Sequence, residues 1–240
     1  MVENETVMKE QEKEAERPRL DKKALMGDLL YSAIKGVGGI ALKGIADLKV
    51  EGAENIPIIG KAILTTISKN VFRDMLVISQ LTGRKVHFML HPKIMAYPIA
   101  GQLLKTIGMI RGTKDKEDTE PIDNVFRILN EKGDLVAMTP EAKLERDIQV
   151  KSMAGIIKFA VAGKSPIIPL AIHTENTKLF NLIPIPGLRV KVGNPISVSS
   201  KLTREKYRTE RYELAEELLN IIDNLQIIPE YEEENDNEIK

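Results

Sequence analysis

Lys69 and Asp74 stand five positions apart in the polar stretch Ile67-Ser68-Lys69-Asn70-Val71-Phe72-Arg73-Asp74. The apolar runs Ala62-Ile63-Leu64-Thr65-Thr66 and Met75-Leu76-Val77-Ile78 flank it. The pattern reads as the end of a buried strand, a polar loop and the start of a helix. An amine and a carboxylate in such a loop could move a proton or hold an anion. A free lysine titrates near ~10.4, so Lys69 is a base at neutral pH only if its pKa falls by about 3 units. Burial lowers it, whereas a neighbouring carboxylate favours the ammonium. As a charged group, Lys69 could join Arg73, Arg111, Lys114 and Lys143 in a patch that holds an anion.

The chain has three histidines and no cysteine. Disulfides, thiolate nucleophiles and cysteine metal sites are therefore excluded. His87 and His91 are four apart, but Phe88-Met89-Leu90 between them reads as strand and no acidic third ligand follows, so no metal is expected. His91, at the end of that strand, is an alternative base, and His173, after a later strand, could also approach the cleft. Gly36-Val37-Gly38-Gly39-Ile40-Ala41 has dinucleotide-fingerprint spacing, yet no strand precedes it. Gly163-Lys164-Ser165 lies between a helix and a strand, the reverse of phosphate-loop order, and no Gly-x-Ser-x-Gly elbow is present.

The elements that must position these groups alternate between strand and helix. From Lys22 to Ala46, the residues Met26, Leu30, Ile34, Val37, Ala41 and Ile45 recur at helical spacing with lysines beside them. Gly36, Gly38, Gly39 and Gly44 weaken that helix by roughly 1 kcal/mol each relative to Ala, so two short helices or one with a mobile middle are expected. Strands are predicted over Leu48–Gly52, Ala62–Ile67, Val86–Leu90, Leu135–Met138, Ile167–Ile172 and Leu188–Val192. Helices are predicted from Pro92 towards Gly108, and over Ile122–Asn130, Ser152–Val161 and Thr203–Leu225. This order argues an α/β domain with a largely parallel sheet flanked by helices.

The chain of 240 residues is 42% hydrophobic, enough for one domain with a substantial core. Acidic and basic residues balance at 35 each, so no basic field points to nucleic acid. Val2 to Lys23 is dense in Glu and Lys without the apolar core of a signal peptide, and no apolar stretch is expected to span a bilayer. A membrane, if met, is expected to be met from its surface. The divisions are a charged tail over 1–21, an amphipathic segment over 22–46, the α/β domain over 47–228 and an acidic tail over 229–240.

Four blocks in order carry a resemblance to a known family. They are the Lys69–Asp74 stretch, Gly108-Met109-Ile110-Arg111, Met138-Thr139-Pro140-Glu141-Ala142-Lys143, and Pro166-Ile167-Ile168-Pro169-Leu170-Ala171-Ile172. Together with Val50-Glu51-Gly52-Ala53-Glu54-Asn55-Ile56-Pro57 upstream, they resemble the phospholipid/glycerol acyltransferase superfamily, which includes the 1-acylglycerol-3-phosphate acyltransferases. The family's first block is Asn-His-x-x-x-x-Asp. Asp74 matches its Asp, and Lys69 stands at the His.

The resemblance implies a glycerol-3-phosphate acyltransferase-like single domain and the transfer of a fatty acyl group from acyl-CoA or acyl-carrier protein to a lysophosphatidic acid-type acceptor. It implies catalytic positions at Lys69 and Asp74, paired as ions, and substrate-binding positions at Arg111, Lys114, Glu141 and Lys143. No cofactor is implied beyond the acyl thioester as co-substrate. Placement is implied to be cytoplasmic, peripheral on the inner face of the cell membrane. The first block lacks its His, and the third reads Ala142, Lys143 and Leu144 in place of Gly-Thr-Arg. An inactive relative that binds a lipid or an acyl thioester is therefore the alternative.

Overall fold

The computed structural model describes residues 21–226, apart from Lys114, Lys116 and residues 180–182. The two expected tails lie outside the described residues, except for the final residue of the first. That residue, Asp21, accepts hydrogen bonds from the Lys23 and Ala24 amides at 3.0 and 3.3 Å and caps helix α1 (Lys22–Gly44).

Seven strands follow: β1 (Lys49–Glu51), β2 (Ala62–Thr65), β3 (Val86–Leu90), β4 (Ile110–Arg111), β5 (Leu135–Ala137), β6 (Ile167–Leu179) and β7 (Ile183–Val192). They form one sheet in the order β1-β7-β6-β2-β5-β3-β4. Neighbours from β6 to β4 pair in parallel, β7 runs antiparallel to β6, and β1 pairs in parallel with β7. The fold is thus the expected single α/β domain with a mostly parallel sheet. Strand β6 runs past the predicted Ile172 to Leu179 and returns as β7. An antiparallel hairpin pairs its backbone without needing apolar residues on both faces, so the apolar pattern did not reveal its length.

The helices are α2 (Val71–Gln80), α3 (Pro92–Met95), α4 (Pro98–Thr106), α5 (Glu120–Phe126), α6 (Arg146–Ala162) and α7 (Arg208–Gln226). The helix expected after Pro92 is two, because Pro98 has no amide to continue the ladder. A wider turn, Arg127–Lys132, extends α5 and stops at Gly133, whose φ is 66°. Strand alternation divides the core: Ala62 and Leu64 face a cluster with α1, α2 and α4, while Ile63 faces a cluster with α6 and α7.

Of the two expected forms, helix α1 takes the single helix rather than two short ones. It is continuous, and Gly27, Gly38 and Gly39 lie on the surface by which it docks. A Cβ on Gly27 would lie 2.2 Å from the Thr106 carbonyl oxygen, one on Gly38 3.0 Å from Leu76 Cδ2, and one on Gly39 2.6 Å from Gln80 Oε1. Polar ties hold the same face. The Tyr31 hydroxyl accepts from the Val86 amide (3.1 Å), Lys35 Nζ donates to the Thr82 carbonyl (2.5 Å), and Lys85 pairs with Asp28 (2.6 Å). Large aliphatics point the other way: Met26, Leu29, Val37, Ile40 and Ile45 are 63–77% exposed. Of the residues expected at helical spacing, Leu30 and Ile34 pack partly against the core, while Met26, Val37 and Ile45 are exposed.

At 23 residues α1 is about 35 Å long, and by length and composition alone it could cross a bilayer. The expectation that no segment reaches that length is thereby corrected.

His87 on β3 is buried, with Nδ1 2.7 Å from the Gly108 carbonyl oxygen, so Nδ1 carries the proton. Its Nε2 lies 3.6 Å from Asp134 Oδ2 and has no hydrogen bond among the described residues. Burial pushes its pKa below the ordinary 6.5, against the pull of the Gly108 carbonyl.

Two predictions follow from this packing. Gly27→Ala should lose about 1–3 kcal/mol in urea denaturation through overpacking, whereas Gly36→Ala, with nothing within 4 Å, should gain roughly 0.5–1 kcal/mol. The second concerns pH. Above the unfolded value, near 6.5, His87 is neutral in both states and contributes no dependence. As pH falls through that value the unfolded chain binds the proton first, so stability drops until the lower folded value is reached. The Tm should be lower at about pH 5.5 than at about pH 7.5, and that difference should shrink in His87→Gln.

Candidate active site

The loop after β2 is laced to the loop after β5 at the carboxyl edge of the parallel strands. The Ser68 amide donates to the Pro140 carbonyl and the Ala142 amide to the Ser68 carbonyl, both at 2.8 Å, and Ser68 bridges to Glu141. Asn70 then caps α2, its Oδ1 accepting from the Arg73 amide at 3.1 Å. Asp74 follows in the first turn, where the helix dipole favours an anion.

Asp74 is only 3% exposed, and both its oxygens are occupied. Oδ1 accepts from Arg73 Nε (2.9 Å) and Nη2 (2.7 Å), and Oδ2 from the Ser68 hydroxyl (2.8 Å) and the Asn70 amide (3.4 Å). The expected Lys69–Asp74 ion pair therefore gives way to Arg73, whose planar fork presents two donors at once. Arg73 Nη1 also reaches the Thr174 hydroxyl of β6 at 3.3 Å. Lys69 is exposed in a bend and makes no hydrogen bond or ion pair among the described residues.

The other candidates are spread along the same edge. Glu141 and Lys143 are exposed, and their side chains have no partner among the described residues. Their loop is shaped by buried Gln149, whose Nε2 donates to the carbonyls of Leu144 (3.0 Å), Glu141 and Ala142 (both 3.3 Å). Sequence reading missed Gln149 and the role of Ser68. The only signal for Gln149 was a polar residue between Ile148 and Val150, which does not distinguish an inward amide from a solvated one.

Arg111 ends β4, three strands from β2 and so about 14 Å away across the sheet. Its guanidinium already pairs with Asp118 (2.8 Å) and Glu120 (3.0 Å), and it holds the Asp118 carboxyl below the usual range. Lys114 lies outside the described residues.

His91 caps α3, with Nδ1 accepting from the Lys93 amide at 3.2 Å, so in the neutral ring the proton sits on the outward Nε2. His173 on β6 is buried, and neither ring nitrogen has a hydrogen-bond partner among the described residues. No group of three or more metal-ligating side chains occurs among the described residues.

A cavity of about 220 Å³ begins at Phe72, in the turn that carries Asp74. Met75, Leu104 and Met109 line its wall, and it ends at Tyr31 and Lys35 of α1. The lining is almost wholly apolar, with Lys35 the only charged residue in it.

The family model described as Acyltransferase matches residues 47–173, just over half of the chain. The chain belongs to that family. A similar solved structure is the crystal structure of the 1-acyl-sn-glycerophosphate (LPA) acyltransferase, PlsC, from Thermotoga maritima. It is 17% identical with a TM-score of 0.56, over 82% of this chain and 80% of that one, which shows a shared fold. No curated protein matches the chain.

Removing Arg73 leaves a buried carboxylate short of two donors, so Arg73→Ala should cost about 1–3 kcal/mol of stability. Lys69→Ala should stay within about 0.5 kcal/mol. Urea denaturation of both variants checks the pair.

Proposed function

We propose that the protein transfers a fatty acyl group from an acyl thioester, acyl-CoA or acyl-carrier protein, to a lysophosphatidic acid-type alcohol in phospholipid biosynthesis. The observation that carries this reading is the apolar cavity, which begins in the turn bearing Asp74 and takes an alkyl chain but offers almost nothing to a polar ligand. Family membership supports acyl transfer in general. In this reading Lys143, Lys69, Lys114 and Arg111 supply positive charge for the acceptor phosphate, with Arg111 exchanging its carboxylate partners for it, and Glu141 lies beside them as an acceptor of hydrogen bonds from substrate hydroxyls.

The exposed stripe of α1 supports peripheral attachment on the inner, cytoplasmic face of the cell membrane. Met26, Leu29, Val37, Ile40 and Ile45 would enter the lipid, with Lys22, Lys23 and Lys43 against anionic headgroups. A second reading, an inactive relative that binds lipid or acyl thioester, is favoured by one observation: Lys69 does not engage Asp74.

The test uses purified protein, labelled palmitoyl and butyryl thioesters, and lysophosphatidic acid. Ester formation is expected, and Ala100→Trp, which fills the cavity, should reduce palmitoyl transfer at least about tenfold while sparing butyryl transfer. Thioester binding without ester would favour the inactive relative. Neither binding nor ester formation would defeat both readings.

A further inference from the structure

We propose that the elbow between α3 and α4, Tyr97-Pro98-Ile99, together with Leu103 one turn on, is a second lipid-contact element beside α1, and that the apolar cavity opens between α2 and α4 into the bilayer it meets. The inference rests on the attachment and acyl-transfer reading above and adds to it the place where a chain enters.

Apolar exposure divides unevenly between the two faces of the sheet. On the face that carries α1, α2 and α4, Ile99 is 86% exposed and Tyr97 61%, and Phe72 and Leu103 are exposed as well. Among the described residues, α6 and α7 on the opposite face expose a single large apolar side chain, Ile148. Ile99 and Leu103 are four apart on α4 and share one stripe, while Gly101 and Leu104 are buried. The elbow is held out rather than folded under. A Cβ on Gly101 would lie 2.2 Å from the Met95 carbonyl oxygen, so α3 and α4 close tightly below it, and Pro98 fixes the first turn of α4.

The charges match an anionic bilayer. Segment 92–106 contains Lys93 and Lys105, both exposed, and no acidic residue. Helix α7 on the far face exposes Glu210, Glu213, Glu217 and Asp223. Lysines beside exposed aromatic and aliphatic groups hold a protein at such a surface, the cations at the headgroups and the apolar groups at the acyl boundary. Tyr97 suits that boundary, with an apolar ring and a hydroxyl that stays wet.

Of the residues lining the cavity, only Phe72 and Leu103 are exposed. Its opening therefore lies between the start of α2 and the outer stripe of α4, beside Ile99. A chain that passes from lipid through this opening stays among apolar groups, and its methylenes are never hydrated on the way. Phe72 shares a helix turn with Asp74, so the reacting end of a chain threaded here is left beside Asp74.

The chain has no tryptophan, so a single introduced one is the sole indole emitter. Tyr97→Trp, Ile40→Trp on α1 and Ile148→Trp on α6 are each mixed with vesicles of phosphatidylcholine and phosphatidylglycerol, with and without bromine in the acyl chains. Emission of Tyr97→Trp should shift to the blue and be quenched by the brominated lipid, as should that of Ile40→Trp, while Ile148→Trp should show neither. A response of Ile40→Trp without one of Tyr97→Trp overturns the proposal and leaves attachment by α1 standing. No response of either overturns both. A shift of Tyr97→Trp with acyl-carrier protein but not with vesicles overturns it in favour of a carrier-docking face. For entry, Ile99→Glu should raise KM for lysophosphatidic acid held in the vesicles at least about tenfold, with butyryl transfer to a short-chain acceptor in solution unchanged. No change in either assay, or equal loss in both, overturns entry from the bilayer. A wild type that makes no ester defeats the acyltransferase reading and chain entry with it, while the fluorescence still decides the lipid surface.

Discussion

Asp74 is a carboxylate held almost wholly out of water, and such a charge is tolerated only when donors surround it. Arg73, Ser68 and the Asn70 amide are those donors, and each commits a different part of the chain. Ser68 is thereby fixed on one side to α2 and on the other, through its backbone, to the loop that carries Glu141. Arg73 is fixed to β6 through Thr174. The first turn of α2 cannot rotate without stranding the charge, so Phe72, Met75 and Leu76 are set in the cavity wall. The same helix presents Leu76 and Gln80 to the glycines of α1.

Helix α1 reverses the usual distribution of side-chain size. A helix on a water-soluble surface turns its large aliphatics inward. Here Gly27, Gly38 and Gly39 face the domain beside Tyr31 and Leu42, and Met26, Leu29, Val37, Ile40 and Ile45 face outward. Close contacts at Gly27, Gly38 and Gly39, buried Tyr31 and Leu42, and the polar ties of Tyr31, Lys35 and Asp28 hold the helix down.

Much of the fold was legible because short apolar runs bounded by polar residues are what a parallel sheet buried on both faces requires. Val86–Leu90 is matched residue for residue. The hairpin beyond Ile172 was not legible, because its partner strand rather than its side chains specifies it. At the site, position in the chain was readable and partnership was not. Lys69 and Arg73 are both cations within reach of Asp74 in sequence, and only the geometry of the helix turn shows that the guanidinium takes the carboxylate. Arg111 looked available because Asp118, in a charged loop, and Glu120, at the start of α5, are acidic residues whose placement beside it the single sequence does not show.

The cavity has a further property that follows from who builds it. Its walls come from α1, α2 and α4 together with β3 and the segment entering β4, and the sheet domain by itself supplies only part of the enclosure. The α1 wall is attached by glycine contacts, a few buried side chains and a few polar bonds. The enclosed volume is therefore a property of an association between two parts of one chain. Its occupancy and the seating of that first helix are thermodynamically linked: whatever fills the space also tightens the helix onto the domain, and whatever draws the helix away empties it.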